Sequence, residues 1–129
     1  MTESQRGSAA VLVLAGALVT MVLLLGLGDL GVFLISRNRA QTAADAAALA
    51  AAQELLPGSA AEPASQAARF ALKNGAKLLS CRCAPGDRQA VVEVSVPVRF
   101  SIVKGLGVTE VRAKALAEVE PGGLRARSG

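Results

Sequence analysis

The chain has 129 residues, a formal charge of +4, no His, Trp or Tyr and only three Phe. Without imidazole, the commonest general base and metal ligand are missing, which excludes most hydrolase and zinc-enzyme chemistry and gives no reason to expect a cofactor or a metal. Its bases stand singly among acids, from Arg69 through Arg82 and Arg99 to Lys114, with no aromatic residues between them to stack on bases, so the charge describes a solvated surface and not a nucleic-acid groove.

After a tail over residues 1–7, no charge occurs between Gly7 and Gly28. As an α-helix this run is about 33 Å long, enough to cross a hydrocarbon core of about 30 Å. Asp29 interrupts it and apolar residues resume to Ile35, so a transmembrane helix is assigned to 8–35, with the lipid bilayer as its first partner. Ser8 and Thr20 are satisfied by bonding back to their own helix. The run exceeds the length of a signal-peptide core, and the small-residue cleavage pattern Ala44-Asp45-Ala46 lies well past its end. Retention as an anchor is the expectation; release of a secreted effector or binding protein after processing is the alternative. Arg6 flanks one end and Arg37 and Arg39 the other, a near tie by the positive-inside rule.

Within the span, Gly26-Leu27-Gly28-Asp29-Leu30-Gly31 has the letters of a dinucleotide-binding fingerprint. That motif works only between a strand and a helix N-terminus, and an apolar helix supplies neither, so the nucleotide reading is rejected. Gly28 and Gly31 instead offer a small-residue stripe on which a second membrane helix packs closely, or else merely loosen the end of the helix. Asp29 falls at the membrane boundary or about 9 Å inside it, depending on where the span ends. It pairs with a partner's basic group or rests among headgroups.

Helical signal continues through residues 36–56. Nine alanines lie between Ala40 and Ala52, and Ala is the strongest helix former. The pattern predicts one helix from about 8 to 56, its outer part an Ala-rich stalk with small residues nearly all round. Ala43, Ala47 and Ala50 are candidates for helix packing or partner contact, including self-association, although such a helix also serves as a passive stalk.

Residues 57–121 predict a small α+β domain. Pro57-Gly58-Ser59 ends the long helix, Pro63 opens a second, and Asn74-Gly75 closes it. A strand is expected at about 77–83, then the turn Ala84-Pro85-Gly86-Asp87. Alternation over Val92, Val94, Val96, Val98, Phe100 and Ile102, repeated over Val111, Ala113, Ala115, Ala117 and Val119, gives two more strands. The predicted fold is an α+β membrane protein: a long N-terminal transmembrane and stalk helix, then one short helix on a three-stranded antiparallel sheet. Pro97 calls for an edge or a bulge nearby, and residues 122–129 read as a disordered tail. Cys81 and Cys83 cannot close a zinc site and lack the spacing of thiol oxidoreductases, so no catalytic residue is assigned. They form a disulfide if an extended strand kinks locally, bridge to another chain, or stay as buried thiols.

Two stretches carry a family resemblance. Arg6-Gly7-Ser8-Ala9-Ala10-Val11, the apolar span, Gly28-Asp29-Leu30-Gly31 and then Arg37-Asn38-Arg39-Ala40-Gln41-Thr42-Ala43-Ala44-Asp45-Ala46-Ala47-Ala48-Leu49-Ala50 resemble the N-terminal region of TadE/TadG-like Flp pilus-assembly proteins, over about residues 6–52. With its Cys-Arg-Cys segment the chain is most similar to the short actinobacterial members found near secretion genes and a helicase. The resemblance implies a non-enzymatic, single-pass inner-membrane component of a Tad pilus or related secretion system. Its N-terminus would be cytoplasmic, its domain extracytoplasmic, and its partners other membrane proteins of the apparatus. Prepilin-like relatives have Glu five residues after the processed glycine; here Leu12 follows Gly7 at that spacing, which implies an unprocessed accessory component.

Overall fold

The computed structural model describes residues 3–98, 105, 107, 109–120 and 123–127. One helix, α1 (Glu3–Glu54), runs without interruption through the apolar and alanine-rich stretches. Its end follows from the residues present. Leu55 and Leu56 donate backbone bonds to Ala52 and Gln53 oxygens at 3.1 and 3.4 Å, tightening the last turn. Pro57 has no N–H to continue the ladder, and Gly58 takes φ +94°, a conformation open to glycine at little cost.

Helix α2 (Pro63–Lys73) starts with Pro at its first position, where the missing N–H costs nothing. It ends in a Schellman motif: the Ala76 N–H reaches the Ala71 oxygen at 2.9 Å and the Gly75 N–H the Leu72 oxygen at 3.0 Å, with Gly75 at φ +73°. Pro63, Ala67 and Ala71, spaced four apart, form its buried face and bring it against α1.

The sheet is an antiparallel meander of β1 (Lys77–Arg82), β2 (Gln89–Pro97), β3 (Glu110–Glu120) and β4 (Gly123–Arg127), in that spatial order. The first three strands are those expected from the sequence, β2 and β3 from their alternation and β1 at about 77–83 before its turn. The fourth is additional: residues 123–127, expected in a disordered tail, pair with β3 in the register Glu120↔Gly123 to Leu116↔Arg127. The expected turn joins β1 to β2. Asp87 closes it by donating its N–H to the Ala84 oxygen at 2.9 Å and accepting the Ala84 N–H on Oδ2 at 3.0 Å, with Gly86 at φ +96°.

Pro97 is where β2 outruns β1, whose last partner is Ser95, so the imino nitrogen sits on a local edge. The bulge is elsewhere. Between Leu78 and Ser80 the β1 register shifts by one residue, which places Leu78 and Cys81 on the same face although they are three apart. Continuation of the β2 alternation to Phe100 and Ile102 lies outside the described residues.

The core sits between the sheet and both helices. Val92, Val94 and Val96 alternate inward from β2, followed by Val98 just past its end, and Val111, Ala115 and Ala117 from β3. Facing them from α1 are Ala40, Ala43, Ala44, Ala47, Ala48, Ala51 and Ala52. Alanine methyls let the helix lie close on the sheet, and the largest fully buried side chains are Val92 and Val94. Gln41 fastens the arrangement by donating from Nε2 to Asp45 Oδ1 at 3.1 Å and to the Lys114 backbone oxygen at 3.4 Å. The outer half of α1, expected to be a stalk apart from the domain, is therefore the domain's central helix.

Candidate functional site

Two surfaces of opposite character meet along α1. From Gly7 to Gly28 every residue is exposed, including Val13 at 73% and Leu24 at 64%. This is the one described helix long and apolar enough to cross a membrane, and its most apolar window, of mean hydropathy 2.7, has no buried residue. An apolar surface of this extent greatly exceeds the patches that monomers expose to water. Thr20 does not break it, since its hydroxyl donates to the Gly16 oxygen at 2.8 Å.

The surface changes over residues 29–39. Asp29, Gly31, Val32, Phe33 and Ser36 are half-buried, whereas Leu30, Leu34 and Ile35 are exposed. The small domain reaches down one side of the helix to Val32, which lines a recess with Val96 and Pro97, while Leu30 and Leu34 keep the other side apolar. Arg37, Asn38 and Arg39 follow, all exposed. Beside them is that recess, of about 280 Å³. It is lined by Val32, Ile35, Ser36 and Arg39 from α1, by Val96 and Pro97 from β2, and by Gly75. The Arg39 stem crosses the α2–β1 turn, its Cδ 3.9 Å from where a Cβ on Gly75 would stand.

The predicted contact residues divide between these surfaces. Gly28 is exposed and Gly31 half-buried, both with open space where a Cβ would project. Ala43 and Ala47 are wholly buried and Ala50 is 5% exposed, in contact with their own chain. Expected at a contact with another helix or a partner, Ala43 and Ala47 lie in the core cluster of their own chain.

Cys81 and Cys83 are joined in a disulfide. Their Cα atoms are 5.5 Å apart, closer than the ~6.6 Å that separates alternate residues of an extended strand. The contraction is possible because Cys83 follows the last paired residue of β1, Arg82. Cys83 is buried and Cys81 packs at the margin of the core.

The outward sheet face carries mixed charge. Arg112 bonds Glu110 at 2.7 Å and Lys114 lies 3.6 Å from Glu93. The hydrogen bond and the charge of Glu110 raise the Arg112 pKa above its ordinary value, so this guanidinium is permanently cationic. With acids and bases alternating, the face presents no single-sign stripe. Sequence reasoning missed the recess at Arg39, because its two walls are some sixty positions apart in the chain; the only local signal was an arginine following the end of an apolar run.

Residues 7–54 match the family model "Putative Flp pilus-assembly TadE/G-like". The match spans both the exposed apolar part of α1 and its buried alanine part, and the resemblance visible in the sequence holds over that helix. No curated protein and no solved structure matches the chain.

Proposed function

We propose that this chain, TadE/G-like over α1, is a single-pass membrane component of a Tad-type pilus-assembly or related secretion system, acting through contacts and not through chemistry. The carrying observation is the change of surface along one unbroken helix: apolar and exposed through Gly28, then alanine-lined and buried in a folded domain from Ala40. The exposed part has the length of a bilayer core, and the buried part fixes the domain rigidly to it. The bilayer satisfies the first part, and the domain is held just beyond its surface.

The disulfide supports an extracytoplasmic domain, since such bonds persist in oxidising compartments and are rare in the cytosol. That orientation puts the N-terminus in the cytoplasm and accords with the topology implied by the resemblance. Gly28 and Gly31 are the proposed points of approach for another membrane helix of the apparatus or for a second copy of this chain. The partners are proteins and lipid, with no role for nucleic acid.

The test is a pair of reporter fusions, alkaline phosphatase and a cytoplasmic fluorescent protein, placed after Gly58 and after Gly129 and combined with fractionation. Phosphatase activity confined to the membrane fraction is expected. Cytoplasmic fluorescence would overturn the orientation, and a soluble, shortened product outside the cell would favour a released binding protein.

A further inference from the structure

We propose that the recess between α1 and the end of β2 binds the phosphodiester headgroup of an anionic glycerophospholipid, with Arg39 as its cationic contact. The inference rests on the membrane-anchored reading above and adds to it a site and a ligand class.

Position is the first argument. The exposed apolar surface of α1 ends at Ile35. Arg39 is one turn further, about 6 Å along the axis, and the headgroup layer occupies about 5–8 Å on each side of the hydrocarbon core. The recess therefore opens at the depth where lipid phosphates lie. Its walls suit a molecule with an apolar and an anionic end: Val32, Ile35, Val96 and Pro97 beside the membrane, and Arg39 above them.

Charge and placement are the second. Among the described residues no carboxylate pairs with Arg39; the ion pairs found join Arg112 to Glu110 and Lys114 to Glu93 on the opposite face of the sheet. Arg39 and Gly75 line the recess together, and with no side chain on Gly75 the Arg39 stem has space beside the α2–β1 turn. A guanidinium so placed offers two parallel donors to two phosphate oxygens, a geometry that lysine cannot reproduce. Arg37 supplies an internal control. It is equally exposed but about 200° away around the helix and outside the recess.

The experiment uses the full chain reconstituted in nanodiscs containing equal amounts of phosphatidylglycerol and phosphatidylcholine, with retained lipids counted by native mass spectrometry. Phosphatidylglycerol is expected to be enriched on the protein. Arg39→Gln should reduce that enrichment about fivefold, as for loss of one basic residue at a membrane surface. Arg39→Lys should keep part of it, and Arg37→Gln should leave it nearly intact. Equal losses in Arg39→Gln and Arg37→Gln, or no enrichment at all, would overturn the proposal. Displacement of the lipid by soluble glycerol phosphate would also overturn it, assigning the recess to a water-soluble phosphate ester. Unchanged hydrogen-exchange protection of β2 in each variant establishes that the fold is intact. A chain that enters the nanodiscs but shows no lipid preference refutes only the headgroup site; one that fails to enter them refutes the anchored reading as well.

Discussion

Replacing Ala47 by Leu separates a domain core from a stalk. Ala47 is fully buried, in the cluster of buried residues that joins the alanines of α1 to α2 and to Val92 and Val94 of the sheet. An isobutyl group in place of the methyl at a site with no exposed surface must push the helix from the elements packed on it or leave its rotamer, a change that costs about 1–3 kcal/mol. Five residues before it the same chemistry has the opposite outcome: Thr42 is exposed, its hydroxyl bonded back to the Asn38 oxygen at 3.0 Å, so Thr42→Leu should be neutral or gain a few tenths of a kcal/mol, about the difference in helix propensity. At about 2 kcal/mol, Ala47→Leu would speed exchange of the β2 amides about thirtyfold when they open with the whole domain, and lower its melting temperature by about 8–16 °C. Hydrogen-exchange mass spectrometry of β2 peptides in the detergent-solubilised full chain reads the effect directly. Unchanged β2 protection in Ala47→Leu would show that the alanine half of α1 is a free stalk and that the helix–sheet core does not form.

Three further outcomes follow from the same packing. Val94→Ala, which removes two methyl groups from a fully buried site, should cost about 2 kcal/mol and lower the denaturant midpoint without changing its slope. Gly75→Ala forces a Cβ onto φ +73° and should cost about 1–2 kcal/mol, with Gly75→Asn milder because Asn tolerates that region; thermal melts of the two variants compare them. The disulfide encloses a very short loop, so the double variant Cys81→Ser/Cys83→Ser should lose about 1.5 kcal/mol by the loop-entropy relation and still fold. Maleimide labelling of the unreduced, denatured wild type should find no free thiol, and labelling without reductant would count against the bonded pair.

Much of this fold could be read in the chain. Pro63 and Asn74-Gly75 bound α2, Ala84-Pro85-Gly86-Asp87 makes its turn, and valines in alternation mark β2, because each of those signals is local and rests on one strong preference. The role of residues 40–52 was not legible. With alanine nearly all round the helix, the pattern carries no contrast between an inner and an outer face, and only the sheet, folded from residues far along the chain, decides which methyls are buried. Leu79 posed a similar problem. A single extra residue resets the inward and outward alternation of β1, and nothing in Leu78-Leu79-Ser80 announces it. The fourth strand is a short segment whose pairing depends on β3 being present, so it had no periodic signal of its own.

The absence of a joint in α1 ties these features together. The helix passes from its exposed apolar part into the core of the domain with no proline, and with Ser36 and Thr42 bonded back onto it at 2.9 and 3.0 Å. A rotation or tilt of the apolar part must then move the sheet as a rigid body, and a load on the domain must be felt by the span. Helix bending would require an inserted break, so an Ile35→Pro variant should uncouple the two halves, with an Ile35→Ala variant as the control for loss of the Ile35 side chain from the recess. If assembly depends on orientation being carried along α1, the proline variant will remain in the membrane with its disulfide formed and yet fail to support pilus assembly or secretion. Full support by the kinked protein would mean that α1 acts as a tether and that its stiffness is incidental.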